Sequence, residues 1–124
     1  RQAFILKEDF PQVVFISLPE AEAAWSERQA VFIDSRSLEA YHRGHIPGAI
    51  SIPLEDVKSG GEDLLARIPE ALEIIVYCEG GDCQASLNLA RWLESRGFKN
   101  LRVFSGGWTE WTQAGLPVEA DVAE

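Results

Sequence analysis

Apolar residues fall along this chain in short runs, with turn residues between them. Val13-Val14-Phe15-Ile16, Val31-Phe32-Ile33, Ala49 to Ile52, Ile74-Ile75-Val76-Tyr77 and Leu101 to Phe104 are too short for helices and mostly β-branched or aromatic, which predicts strands. Ser17-Leu18-Pro19-Glu20 reads as a capping box that opens a helix running to about Arg28. After Asp34-Ser35-Arg36 a short helix runs from Leu38 to about Arg43, and Gly44 is placed to end it in a left-handed cap. Ile46-Pro47-Gly48 makes a turn, and Leu54 to Ile68 is a helical stretch broken at Gly60-Gly61. Ala85, Leu89, Trp92 and Leu93 draw one apolar stripe down a helix that Gly97 ends. Ser105-Gly106-Gly107 leads into a closing helix that carries Trp108 and Trp111 as far as Gly115.

Strands alternate with helices, and several strands are apolar throughout rather than at every second position. That pattern predicts a single α/β domain, a mainly parallel open sheet of about five strands with helices on both faces. Residues 1–12 read as an irregular N-terminal segment, 13–118 as the domain and 119–124 as a C-terminal tail. No repeat or low-complexity run interrupts it.

With 124 residues, 46% hydrophobic and 25% charged, the chain can bury one core. A formal net charge of -9 argues against unaided binding to nucleic acid or to an anionic membrane, since both need a basic face. A protein, a neutral molecule or a soft sulfur species fits better as partner. No apolar stretch reaches the roughly 18 residues that span a bilayer, so no direct membrane insertion is expected of this fragment. The chain starts at Arg1 and contains no Met, which makes a piece of a larger protein the expectation and leaves its compartment open. Two cysteines make neither a disulfide framework nor a zinc knuckle.

Cys78 is the centre of the candidate chemistry. It ends an apolar strand and opens the loop Glu79-Gly80-Gly81-Asp82-Cys83, with a helix following. At the carboxyl end of a buried strand a side chain enters the crevice where open α/β sheets bind ligands, and the next helix aims its N–H groups back at it, favouring thiolate. The competing reading is a buried cysteine acting as a small hydrophobe. Gly80 and Gly81 suit a loop that curls around an anion or a sulfane sulfur, and equally suit a plain turn. Cys83, near the first turn of that helix, is either a second thiol without a role or a resolving thiol able to attack the Cys78 sulfur. Asp34 and Arg36 are candidates for the site rim or for a structural ion pair. Trp108 is placed to line the pocket, whereas Trp111 reads as packing. His42 and His45 lack metal-ligand spacing, so neither metal nor other cofactor is expected.

The elements Val31-Phe32-Ile33-Asp34-Ser35-Arg36, Tyr41, Gly44-His45-Ile46-Pro47-Gly48-Ala49, Ile75-Val76-Tyr77-Cys78 and Phe104-Ser105-Gly106-Gly107-Trp108 occur in order, and together they resemble a single rhodanese-like domain. The resemblance covers nearly the whole chain. It implies an open α/β sheet and a catalytic cysteine, matched by Cys78, that takes a sulfur atom as a persulfide and passes it to a nucleophile. Related phosphatases and arsenate reductases carry an essential arginine where this chain has Gln84, which disfavours those activities. The sulfurtransferase pattern often has an arginine directly after the cysteine and a basic residue at the loop's end, where Glu79 and Cys83 stand here. Carboxylates at Glu79 and Asp82 oppose thiosulfate, a dianion.

The leading expectation is a rhodanese-like sulfurtransferase. Cys78 and Cys83 are its catalytic candidates, and Glu79, Gly80, Gly81, Asp82, Gln84, Asp34, Arg36 and Trp108 its substrate-binding candidates. The expected donor is polysulfide or a persulfide, and the expected recipient a thiol acceptor or a reductant protein. Two alternatives keep the fold: a dithiol/disulfide redox protein using both cysteines, and a catalytically silent binding or regulatory module.

Overall fold

The computed structural model describes residues 13–69, 73–81 and 83–121. Among them are β1 (Val13–Ile16), α1 (Leu18–Glu27), β2 (Ala30–Asp34), α2 (Leu38–Arg43), β3 (Ile50–Ser51), α3 (Leu54–Val57), a 3-10 segment (Gly61–Arg67), β4 (Glu73–Tyr77), α4 (Ala85–Ser95), β5 (Leu101–Phe104) and α5 (Gly107–Gln113). The strands form one sheet in the order β1-β5-β4-β2-β3, every neighbouring pair parallel. The α/β architecture expected from the alternation of elements is therefore observed.

Each strand's alternate residues point to opposite faces, and both faces are covered. Ile33, Ile74, Val76, Leu101 and Val103 pack with Leu89 and Leu93 of α4, whereas Phe32, Ile75, Tyr77 and Phe104 pack with Ala21 of α1 and Trp111 of α5. Two cores on one sheet explain why the strands read as continuous apolar runs. Fully burying each of these larger side chains contributes about 1.5–3 kcal/mol.

Ser17 caps α1 with the reciprocal capping box to Glu20, whose side chain accepts from the Ser17 N–H at 2.8 Å. That hydrogen bonding holds the Glu20 carboxyl below its usual range. Three local expectations need correction. Gly44 is not a left-handed cap, for its φ of 168° is extended backbone. Its small size matters instead, because a Cβ there would meet the Trp108 ring at 2.9 Å. The stretch from Leu54 to Ile68 does break at Gly60, at φ 87°, but its two pieces are one α turn and a 3-10 segment rather than longer helices. The stripe on α4 is centred on Ser86, Leu89, Ala90 and Leu93, while Ala85 and Trp92 lie at its margins.

The expected tail is tied down as far as residue 121. His45 and Glu119 exchange backbone hydrogen bonds at 2.8 and 2.9 Å, and the Asp121 N–H donates to the His42 carbonyl at 3.0 Å. Among the described residues no helix is long and apolar enough to cross a membrane.

From β2 the chain continues to β3 on one side, and from β4 to β5 on the other. The helix after β2 supplies Tyr41 to one core and the helix after β4 supplies Leu89 to the other. The carboxyl ends of β2 and β4 therefore flank a topological switch point, where a crevice opens in sheets of this kind.

Candidate functional site

Two loops meet at that crevice. Asp34-Ser35-Arg36 leaves β2, and Cys78-Glu79-Gly80-Gly81 leaves β4. Ser35 stitches them together: its N–H and its hydroxyl both donate to the Tyr77 carbonyl, at 2.9 and 2.8 Å. The loop after β5 closes on them from the other side. The Trp108 N–H donates to the Cys78 carbonyl and the Thr109 N–H to the Glu79 carbonyl, each at 2.9 Å.

That approach requires two glycines. Gly107 has φ 59°, and a Cβ on it would collide with the Cys78 carbonyl oxygen. Gly80 has φ 127°, and a Cβ there would collide with the Gly106 carbonyl oxygen. The first turn of α5 thus fixes the loop by backbone contact alone.

Cys78 is 2% exposed and is joined by a disulfide to half-buried Cys83, with Cα atoms 6.6 Å apart. The Cys83 N–H donates to the Gly80 carbonyl at 3.2 Å, so in the disulfide form it closes a turn instead of facing a sulfur atom. Buried Ser86, in the first turn of α4, places its hydroxyl oxygen 3.5 Å from the Cys78 sulfur. A disulfide sulfur has no proton, so the hydroxyl is the donor.

On the facing loop Asp34 is fully buried, and its carboxylate is gripped by Arg36. The guanidinium Nε donates to Oδ1 at 3.0 Å and Nη2 to Oδ2 at 2.8 Å. Nη2 also donates to the Gly44 carbonyl at 2.6 Å, Nη1 lies 3.5 Å from the Glu79 carboxylate, and the group sits 4.8 Å from the Trp108 ring centroid. Burial disfavours the charge on Arg36, but the hydrogen bonds and charge of Asp34 outweigh it and hold Arg36 more firmly protonated than usual. Burial, reinforced by the Asp34 charge, pushes the neighbouring Tyr77 phenol well above its ordinary range. Its hydroxyl accepts from the Ile46 N–H at 3.0 Å.

A pocket of about 210 Å³ opens beside the loop, lined by Arg36, Ala40, Arg43, Gly44, Glu79 and Trp108. The structure therefore brings together Cys78, Cys83, Glu79, Gly80, Gly81, Asp34, Arg36 and Trp108, with Arg36 largely committed to Asp34. Gln84 stands exposed before α4, its side chain making no cap hydrogen bond. Asp82 lies outside the described residues. Trp111 belongs to the core, its indole N–H donating to the Pro117 carbonyl at 2.6 Å. His45 stacks on Tyr41 with ring centroids 3.7 Å apart, and His42 lies 3.1 Å from Asp121. Among the described residues no group of three or more His, Cys, Asp or Glu could hold a metal.

The sequence reading missed Ser86, Arg43 and the contact that Gly107 makes with the loop. Ser86 did leave a signal, since it precedes Leu89 and Leu93 by three and seven positions and so puts a hydroxyl on an apolar stripe.

The model of the rhodanese-like domain matches residues 17–114. This chain belongs to that family. Three known proteins illustrate the likeness. The HTH-type transcriptional regulator Rv0324 of Mycobacterium tuberculosis is 34% identical over 91 residues, 73% of this chain and 38% of that protein. The "Putative sulfur carrier protein YrkF" of Bacillus subtilis is 32% identical over 87 residues, 70% of this chain and 44% of that protein. The crystal structure of the BH2092 protein from Bacillus halodurans superposes with a TM-score of 0.78 at 25% identity, covering 97% of this chain and 85% of that one. The chain spans less than half the length of these two curated relatives.

Proposed function

We propose that this rhodanese-like domain is a sulfurtransferase in which Cys78 carries sulfane sulfur and Cys83 resolves it. The observation that carries the reading is the bond between the two cysteines at the end of β4, beside the first turn of α4. The likeness to a protein named for sulfur carriage supports it.

In the proposed cycle the Cys78 thiolate attacks a sulfane sulfur of a polysulfide or persulfide. One sulfur–sulfur bond of the donor breaks, the shortened donor leaves with the electron pair, and Cys78 becomes a persulfide. A thiol acceptor then takes the outer sulfur. Failing that, the Cys83 thiolate attacks the inner sulfur, hydrosulfide leaves, and the disulfide remains until a dithiol supplies two electrons. The second reading, dithiol/disulfide exchange without sulfur transfer, rests on the same bond.

The deciding experiment exposes the reduced protein, Cys78→Ser and Cys83→Ser to polysulfide and separately to thiosulfate, and reads intact masses without reductant. One added sulfur in Cys83→Ser that persists there, its absence in Cys78→Ser, and passage of the wild type to the disulfide are the expected results. Disulfide formation in the wild type without sulfur on either variant leaves the exchange reading, and no change in any mass removes both.

A further inference from the structure

The two sulfurs of the disulfide are unequal. Cys78 is 2% exposed, lies under the first turn of α5 through its carbonyl, and has the Ser86 hydroxyl 3.5 Å from its sulfur. Cys83 is only half-buried and ends the loop just before α4. An incoming thiolate must approach the attacked sulfur from solvent, and the departing thiolate must be held where it is released. Cys83 meets the first condition. Cys78 meets the second, because Ser86 can donate to the new thiolate and the amino end of the eleven-residue helix α4 lies beside it.

We infer that the Cys78–Cys83 disulfide opens in one direction: a dithiol reductant attacks Cys83, forms its mixed disulfide there, and releases Cys78 as thiolate. The bond between the sulfurs breaks as the bond from the reductant to Cys83 forms, and the electron pair leaves on Cys78. The reductant's second thiolate then attacks its own sulfur in the mixed disulfide, closes the reductant's disulfide and frees the Cys83 thiolate, which takes up a proton. Two electrons pass in all, and the sulfur carrier is regenerated in the first step rather than the last. Cys83 is thereby the docking atom for the reductant, a role separate from its attack on a persulfide. The physiological use of this step rests on the sulfurtransferase reading, whereas its direction does not.

The test uses the full chain oxidised with diamide, which makes the disulfide without any sulfur donor. A small excess of 2-mercaptoethanol is added, the reaction is stopped in acid at early times before the adduct can migrate, and peptide masses locate it. The expected adduct is on Cys83 with Cys78 free, and Ser86→Ala should slow opening about 3–10-fold, the worth of one ordinary hydrogen bond, because the charge on Cys78 is only partly developed as the bond breaks. An adduct on Cys78, an even split, an unchanged rate in Ser86→Ala, or failure of diamide to form the disulfide overturns the inference. Polysulfide loading of the reduced protein is measured in parallel. If Cys78 takes no sulfur there, the sulfurtransferase reading falls while the direction of opening is judged by the adduct alone.

Discussion

Arg36 occupies both oxygens of the Asp34 carboxylate, at 3.0 and 2.8 Å, two residues along the chain and against the face of the Trp108 ring. Asp34 has no exposed surface, so water cannot take the place of this partner. Removing one member of a buried pair costs about 3–5 kcal/mol, because the other charge stays behind unpaired. Arg36→Ala should lose that much in urea unfolding. Arg36→Lys should recover only part of it, since an ammonium cannot reproduce the fork that also reaches Gly44. Stability within about 0.5 kcal/mol of wild type in Arg36→Ala would show that the pair is dispensable.

Two glycines separate conformational strain from close approach. Gly81 has φ 62°, and a Cβ added to it would have nothing among the described residues within 4 Å, so Gly81→Ala should cost only the left-handed penalty of about 1–2 kcal/mol. Gly107 adds a collision with the Cys78 carbonyl oxygen to a φ of 59°. Gly107→Ala should therefore cost more than Gly81→Ala, and it alone should slow diamide closure of the disulfide by displacing the loop from α5. Thermal unfolding and closure rates of the two variants decide this, and equal effects would remove the clamp.

Much of this fold was legible because its strands are nearly continuous apolar runs and its first helix opens with a capping box. Val31-Phe32-Ile33 and Ile74 to Tyr77 could be placed as buried strands, and Ser17 with Glu20 marked a helix start. The Cys78 loop was legible for the same reason, as a polar, glycine-rich break after such a strand. What stayed hidden depends on distance between segments far apart in sequence. Gly44 was read as a helix cap because its neighbour Trp108 lies sixty-four positions away. The bond between Cys78 and Cys83 could be named as a possibility but not measured, and the commitment of Arg36 to Asp34 was one of two open readings until the guanidinium was seen gripping both oxygens.

Glu79 lines the pocket, its side chain 61% exposed and its carboxylate 3.5 Å from Arg36 Nη1. In the proposed reaction it repels an anionic donor approaching Cys78. A unit charge about 4 Å away in a water-exposed setting is worth about 1 kcal/mol per charge. Glu79→Gln should thus raise kcat/KM for thiosulfate about fivefold or more and leave a neutral organic trisulfide nearly unaffected. Salt should erode the difference, because exposed charges are screened over about 10 Å at 0.1 M. An equal response to both donors would mean that the carboxylate acts through loop structure and not through charge.

Tyr77 makes stability depend on alkaline pH. Its phenol is raised above the ordinary value by burial first and by the Asp34 charge second, and Tyr41 is raised by burial and then by the charges of Asp121, Glu119 and Asp34. These are the chain's two tyrosines. A proton held more tightly in the folded state stabilises the fold fully while pH stays below the unfolded value of about 10, and that contribution is lost as pH climbs toward the folded value. Wild-type stability should therefore fall above about pH 10, by as much as about 1.4 kcal/mol per pH unit for each tyrosine. In Tyr77→Phe the fall should be about half as steep, with Tyr41 alone contributing. The variant should also start about 1–3 kcal/mol lower at neutral pH, since the Ile46 N–H loses its acceptor. Urea unfolding of both proteins from pH 8 to 11 measures the two effects separately, and equal alkaline slopes would take the pH dependence away from Tyr77.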